Sequence, residues 1–160
     1  MDNIEICLCD FNDPLHSSNF IKLINHYIKD EMGGGTPHTL EKATELIRGM
    51  SQHPTAFVVF AKVNHVFAGL VVSYINFSTF KAQPFVNVHD VVVDKEYRGR
   101  GLARMMLESV IEMAEMKNCC KVTLEVREDN TVAKGLYDSL GFEECQPSSM
   151  HYWELHLGNY

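Results

Sequence analysis

The stretch Val88-His89-Asp90-Val91-Val92-Val93-Asp94-Lys95-Glu96-Tyr97-Arg98-Gly99-Arg100-Gly101-Leu102-Ala103-Arg104 decides how the rest of the chain is read. Its β-branched opening reads as a strand, Asp94-Lys95-Glu96 as a charged turn, and the segment from Leu102 as the start of an amphipathic helix. A tight loop feeding a helix start points several backbone N–H groups the same way, and the helix dipole adds partial positive charge there. Gly99 and Gly101 lack the Cβ atoms that would hold an oxyanion away from the backbone, and Arg98, Arg100 and Arg104 add full charges. The stretch reads as a cradle for a pyrophosphate.

Neither Gly-x-Gly-x-x-Gly nor Gly-x-x-x-x-Gly-Lys-Ser/Thr occurs in the chain, so the cradle is not one of the common nucleotide loops. Arg98-x-x-Gly101-x-Ala103 instead resembles the Arg/Gln-x-x-Gly-x-Gly/Ala signature of the GNAT superfamily of N-acetyltransferases. Downstream, Asn130, Ala133, Leu136-Tyr137 and Leu140-Gly141-Phe142 resemble that family's Asn…Ala…Leu-Tyr…Leu-Gly-Phe segment at a typical distance. The specific resemblance spans about residues 88–145, and the N-terminal half fits only by its pattern of elements. At lower specificity, Asn76-Phe77-Ser78-Thr79-Phe80 ahead of Val88-His89-Asp90 resembles the branch containing histone- and polyamine-type acetyltransferases.

Length and composition set the frame around these blocks. A chain of 160 residues with 46% apolar content reads as one domain, residues 1–160, able to bury a core. Met1-Asp2-Asn3-Ile4-Glu5 has neither the basic start nor the apolar run of a signal peptide, and no apolar run is long enough to span a bilayer. A cytoplasmic protein without a membrane partner is expected. Net charge is −7, yet the 95–104 segment holds Lys95, Arg98, Arg100 and Arg104 against Glu96 alone. An acidic body with one basic notch suits an anionic cofactor and a cationic amine, and it argues against nucleic acid, which needs a broad basic face. The five cysteines (Cys7, Cys9, Cys119, Cys120 and Cys145) lack zinc-ligand spacing, so no metal is expected.

Hydrophobic periodicity predicts a first strand over 3–9 and a helix capped by Ser17 or Ser18 with Phe20, Leu23, Ile24, Tyr27 and Ile28 on one face. Gly33-Gly34-Gly35-Thr36-Pro37 reads either as a mobile loop over a substrate site or as a plain connector. A second helix starts at Thr39 and stops at Gln52-His53-Pro54. Residues 56–63 and 66–77 form a hairpin about Asn64-His65, and a long strand over 85–93 leads into the cradle. A helix from Leu102 to Lys117-Asn118, a strand over 121–126, a helix over 132–140 closed by Gly141, and one or two last strands from Phe142 complete the chain. The order β-α-α-β-β-β-α-β-α-β is that of an α/β (α+β) GNAT fold. It predicts a mixed sheet of about six to seven strands flanked by about four helices.

The resemblance implies direct acetyl transfer from acetyl-coenzyme A, as co-substrate, to an amine. The strand end Val91, Val92 and Val93 would pair with the pantetheine arm as an added strand. Arg98, Gly99, Arg100, Gly101, Leu102 and Ala103 would bind the pyrophosphate. Asn130 and Ala133 would contact the cofactor, and Tyr137 would protonate the departing thiolate. His89 and Asp90 are the catalytic-base candidates. As strand neighbours they should point to opposite faces, with His89 the better-tuned base and ordered water an alternative to both. Asp30, Glu31 and Phe85 are candidates for the acceptor, a small amine, polyamine, lysine-like side chain or basic peptide. Tyr74, Phe77 and Phe80 read equally as funnel, as core or as a homodimer seam. His16, His26, His38, His53 and His65 read as surface residues. A second reading is a non-catalytic acyl-coenzyme A sensor or assembly module.

Overall fold

Five strands and four helices make up the computed structural model, which describes residues 2–145, 153 and 155–157. Strand β1 (Ile4–Leu8) is followed by helices α1 (Pro14–Lys29) and α2 (Leu40–Gln52), then by strands β2 (Ala56–Val63), β3 (Val66–Ser78) and β4 (Gln83–Val93). Helix α3 (Leu102–Met116), strand β5 (Val122–Leu124) and helix α4 (Thr131–Ser139) follow. The strands lie in the order β1-β2-β3-β4-β5. All neighbours are antiparallel except β4 and β5, which the α3 crossover makes parallel. The fold is therefore the mixed-sheet GNAT architecture expected, with five strands rather than six or seven among the described residues. The last strands read from Phe142 onward fall largely outside the described residues, and residues 142–145, 153 and 155–157 are in no strand.

Each sheet face carries its own core. Val59, Ala61, Val71, Val86 and Val88 pack against Leu102, Met106, Leu107 and Val110 of α3 and Tyr137 of α4. On the other face Val58, Phe60, Leu70, Val72 and Val92 pack against Phe20, Leu23 and Ile24 of α1 and Met50 of α2. Burying two faces of one sheet explains why β2 and β3 read as continuous apolar runs rather than alternating ones.

Strict period two fails at two places, and both shape the site. Ala61 pairs with Gly69 while Lys62 pairs with Phe67, so Ala68 is an extra residue in β3. Gly69 then lies so close to β4 that an added Cβ would sit 2.8 Å from the Val92 carbonyl oxygen and 3.0 Å from Met106 Cε. Gly69→Ala is expected to lower stability by about 1–3 kcal/mol, because a backbone oxygen cannot give way as a side chain does. Denaturant midpoints compared at constant slope would measure this. The second bulge is at His89: Val72 pairs with Asp90 and Ser73 with Val88.

Several local readings need correction. Helix α1 starts three to four residues before the expected serine cap, because Asp13 Oδ1 accepts from Leu15 N and Pro14 takes the first helical position. The glycine tract folds back on α1: Gly33 N and Gly34 N donate to Asp30 O, Gly35 N donates to Ile28 O, and a Cβ on Gly33 would lie 2.1 Å from Tyr27 O. It is a packed turn. Of the histidines read as surface residues, His53 and His65 are exposed, whereas His16, His26 and His38 are half-buried. A ring nitrogen of His16, His26 and His53 accepts the backbone N–H of Asp10, Lys95, and Thr55 with Ala56 respectively, and His38 Nδ1 is buried. Each ordinary backbone donor claims an unprotonated nitrogen. All five cysteines are unbridged. Among the described residues no helix is long and apolar enough to cross a membrane.

Candidate active site

Strands β4 and β5 pair only from Val86 to Val88 and from Val122 to Leu124, and then part. The extra residue at His89 turns β4 away at that point, so its outer edge from His89 to Val93 has no strand partner among the described residues. The Val92 carbonyl points toward β3, as its nearness to Gly69 shows, whereas the Val93 carbonyl accepts from Arg98 Nε at 3.2 Å. Alternation along the strand therefore leaves the backbone of Val91 and Val93 facing the gap. That gap is a cleft of about 810 Å³ bounded by α1, the ends of β4 and β5, the 98–104 loop and α4.

The loop meets the cleft at the start of α3. Gly99 (φ +74°) and Gly101 (φ +78°) both hold left-handed conformations, with nothing within 4 Å of an added Cβ. Helices α1, α2 and α4 are capped by the side chains of Asp13, Thr39 and Asn130, but the N-cap of α3 is Gly101, which makes no side-chain cap. Its first N–H groups are left to whatever enters the cleft. The arginines divide their work. Arg98 NH2 is 2.7 Å from Asp30 Oδ2, Arg100 NH1 is 2.8 Å from Asp2 Oδ2, and Arg104 reaches Ser139 Oγ and, at 3.5 Å, Glu108. Arg98 and Arg104 line the cleft, while the Arg100 side chain is drawn out of it toward Asp2 and over the Tyr97 ring.

Opposite the loop, Asn130, Ala133 and Tyr137 of α4 line the cleft, as do Asp30 and Glu31 beyond α1. Asn130 Oδ1 is committed to Ala133 N at 3.2 Å, so a hydrogen bond from Asn130 to a ligand would fall to its amide nitrogen. Tyr137 is 9% exposed and stands edge-on to Phe142 at 5.9 Å. Burial, then the neighbouring Tyr27, pushes its phenol above the ordinary value, so the hydroxyl stays protonated at neutral pH. Phe85 lies away from these residues, under the Lys121 ammonium.

The bulge overturns the expectation that His89 and Asp90 point to opposite faces. Val88 belongs to the α3 face, and so does Val91. The Tyr74 ring, on the α1 face, touches His89 at 5.7 Å, and its phenol and that of Tyr27 are both raised in part by the charge of Asp90. Both residues of the bulge therefore project to the α1 side. Their surroundings differ. His89 is exposed and lines the cleft, whereas Asp90 is half-buried, and desolvation raises its carboxyl above the usual value against the lowering influence of His89.

A carboxyl whose folded pKa is raised adds stability in its protonated form at low pH and loses it as pH rises through that value. Asp90→Asn, which removes the charge and keeps the shape, is thus expected to raise the melting temperature at pH 7. The gain should shrink as the pH is lowered into the carboxylate range. Thermal melts of both proteins across pH would measure it, and a gain that grows toward acid would contradict the assignment.

His26, Tyr27, Met32, Glu125 and Arg127 also line the cleft and were not singled out as site residues. Tyr27 reads in sequence as one more apolar position of α1, and Glu125 only as part of the strand over 121–126. Their place becomes visible only once β4 and β5 are known to part. No group of three or more metal-ligating side chains occurs among the described residues.

An α/β sheet with two splayed parallel strands, an uncapped helix start and a protonated tyrosine opposite defines a cleft suited to an extended anionic ligand. Residues 21–142 match the family model described as Acetyltransferase (GNAT) family, and the chain belongs to that family. It is 43% identical over 56 residues to the [Ribosomal protein bS18]-alanine N-acetyltransferase of Salmonella typhimurium, covering 35% of this chain and 38% of that protein. With the N-alpha-acetyltransferase RimI of Mycobacterium tuberculosis it shares 39% identity over 77 residues, 47% of each chain. The match thus spans less than half the length of these curated relatives. Among solved structures, a probable acetyltransferase superposes with a TM-score of 0.81 at 20% identity, over 98% of this chain and 99% of that one. An aminoglycoside N-acetyltransferase in complex with CoA superposes with a TM-score of 0.76 at 17% identity, over 96% of both chains.

Proposed function

We propose that the chain is an acetyl-coenzyme A dependent N-acetyltransferase that transfers the acetyl group directly to a primary amine in a ternary complex. The observation carrying this reading is the conjunction, in one cleft, of the uncapped α3 start, the backbone edge of Val91 and Val93 that β5 leaves uncovered, and the Tyr137 hydroxyl. Membership of the family supports it.

Acetyl-coenzyme A, when bound, supplies an activated acetyl thioester. The N–H groups of Gly99 to Ala103 and the Arg98 guanidinium would hold its diphosphate. The backbone of Val91 and Val93 would take its amide-bearing arm as a further strand, with Val92 anchoring the strand in the core beneath. Asn130 would add a hydrogen bond and Ala133 a close apolar contact. Tyr137 Oη, protonated at neutral pH, would give its proton to the departing sulfur. A primary amine with a pKa near ~10.4 is mostly charged at neutrality and must lose a proton first. His89, exposed on the bulge, has the ring nitrogen to accept that proton directly or through water. Asp90 and Glu31 would supply negative charge toward a cationic acceptor. Phe85, away from the cleft, drops out of this account. The cysteines stand apart from the cleft lining, which favours direct transfer over an acyl-enzyme.

The relatives named above act on ribosomal protein and aminoglycoside amines, so the acceptor here is proposed only as a primary amine, small or peptide-borne. Thiol release from acetyl-coenzyme A across polyamines, aminoglycosides, amino acids and basic peptides tests the reading, with a parallel calorimetric titration of the cofactor. Turnover with one amine class is expected, and binding without turnover on any of them would favour the sensor.

A further inference from the structure

Resting on the cofactor reading above, we propose that Asp30 is a built-in placeholder for the diphosphate, occupying Arg98 until an anion takes the guanidinium and turns the carboxylate away. Among the described residues, Arg98 is the one loop arginine whose partner carboxylate itself lines the cleft: Asp2 and Glu108, which pair with Arg100 and Arg104, do not. The Arg98 guanidinium is held on two sides, by Val93 O through Nε and by Asp30 Oδ2 through NH2. Its side chain is 52% exposed, so it is open to a ligand, while the Asp30 side chain is 20% exposed and set back against α1. A diphosphate arriving at Gly99 to Ala103 therefore meets a like charge at the one arginine best placed to receive it, and the two anions compete for it.

Asp30 is also the knot of the turn that follows α1. Its Oδ1 accepts from Met32 N at 3.1 Å, its carbonyl oxygen accepts from Gly33 N and Gly34 N, and its own N–H donates to Tyr27 O. Turning the carboxylate breaks the Met32 bond and loosens the 31–35 turn, whose Glu31 and Met32 line the cleft on the side the proposed function gives to the acceptor. Occupancy of the cofactor site thus reaches the acceptor side through one side chain, and a free carboxylate appears there for a cationic amine only after the cofactor is in place. In this scheme Asp30 is a positioning residue that sets the order of binding.

The test uses coenzyme A itself on the full chain. Asp30→Asn keeps an oxygen for Met32 N and removes the charge from Arg98. It is expected to bind coenzyme A roughly fivefold tighter by calorimetry, the scale of a partly exposed ion pair. In the unaltered chain, coenzyme A should speed amide hydrogen exchange at residues 32–35, and in Asp30→Asn that response should be lost. Asp30→Ala, checked by circular dichroism for folding, serves as the second variant and should also tighten binding. Equal or weaker binding by both variants overturns the proposal, because a merely structural Asp30 has no means of opposing the ligand. An unaltered chain that fails to bind coenzyme A overturns the cofactor reading itself, and this inference with it.

Discussion

Gly101→Asp is expected to yield a folded chain in which the proposed coenzyme A binding is largely lost. At φ +78° and ψ 5° the backbone of Gly101 is left-handed, and a non-glycine residue there costs about 1–2 kcal/mol, less for aspartate than for most. With no atom within 4 Å of the new Cβ, the fold has room for the side chain. The loss falls on the ligand. The carboxylate would stand at the N-cap of α3, where it can accept from the helix's own first N–H groups and so fill the position a diphosphate needs. Juxtaposed like charges cost several kcal/mol, so affinity should fall by about a hundredfold or more. Calorimetric titration beside a thermal melt separates this from unfolding: unchanged affinity in a folded variant would refute the cradle.

Tyr137→Phe should act on the opposite quantity. The phenylalanine ring fills the same buried space against Phe142, and among the described residues the Tyr137 hydroxyl has no hydrogen-bond partner to lose. Stability and coenzyme A affinity should therefore hold. The turnover rate should drop by roughly 10²- to 10⁴-fold, the range for removal of a positioned general acid. Because burial raises the phenol above its usual 10.0, the donor form persists to higher pH than in a free tyrosine, and loss of activity through this group belongs at the alkaline end of the profile. A sensor has no rate to lose. A variant with full turnover would remove Tyr137 from the chemistry.

What could be read from the residues alone was what lies close along the chain. Val88 to Arg104 is contiguous, so the strand, the turn, the two left-handed glycines and the helix start appear together in sequence and in space. The 132–140 helix with its Asp129/Asn130 cap could be read from local pattern, but the roles of Asn130 and Tyr137 came from the resemblance to the GNAT segment rather than from spacing. Relations set by register or by distant packing were not legible. One unpaired residue at 89 reverses the strand's alternation and brings His89 and Asp90 to one side, and nothing in Val88-His89-Asp90-Val91 marks it. The Arg98–Asp30 pair joins residues separated by 68 positions, each of which made sense alone as a ligand contact. The glycine tract suggested freedom, yet Gly33 is required by its closeness to Tyr27 O, a contact visible only after α1 has ended where it does.

The most direct measurement of the central claim is a single-turnover reaction with acetyl-coenzyme A carrying a ¹³C-labelled acetyl group, quenched with and without an accepted amine and resolved by mass. The account predicts label in the amide of the acceptor, coenzyme A released in equal amount, and none on the protein at any time. Label on a cysteine before it reaches the amine would contradict direct transfer, and label found only as free acetate would contradict the assignment as an N-acetyltransferase.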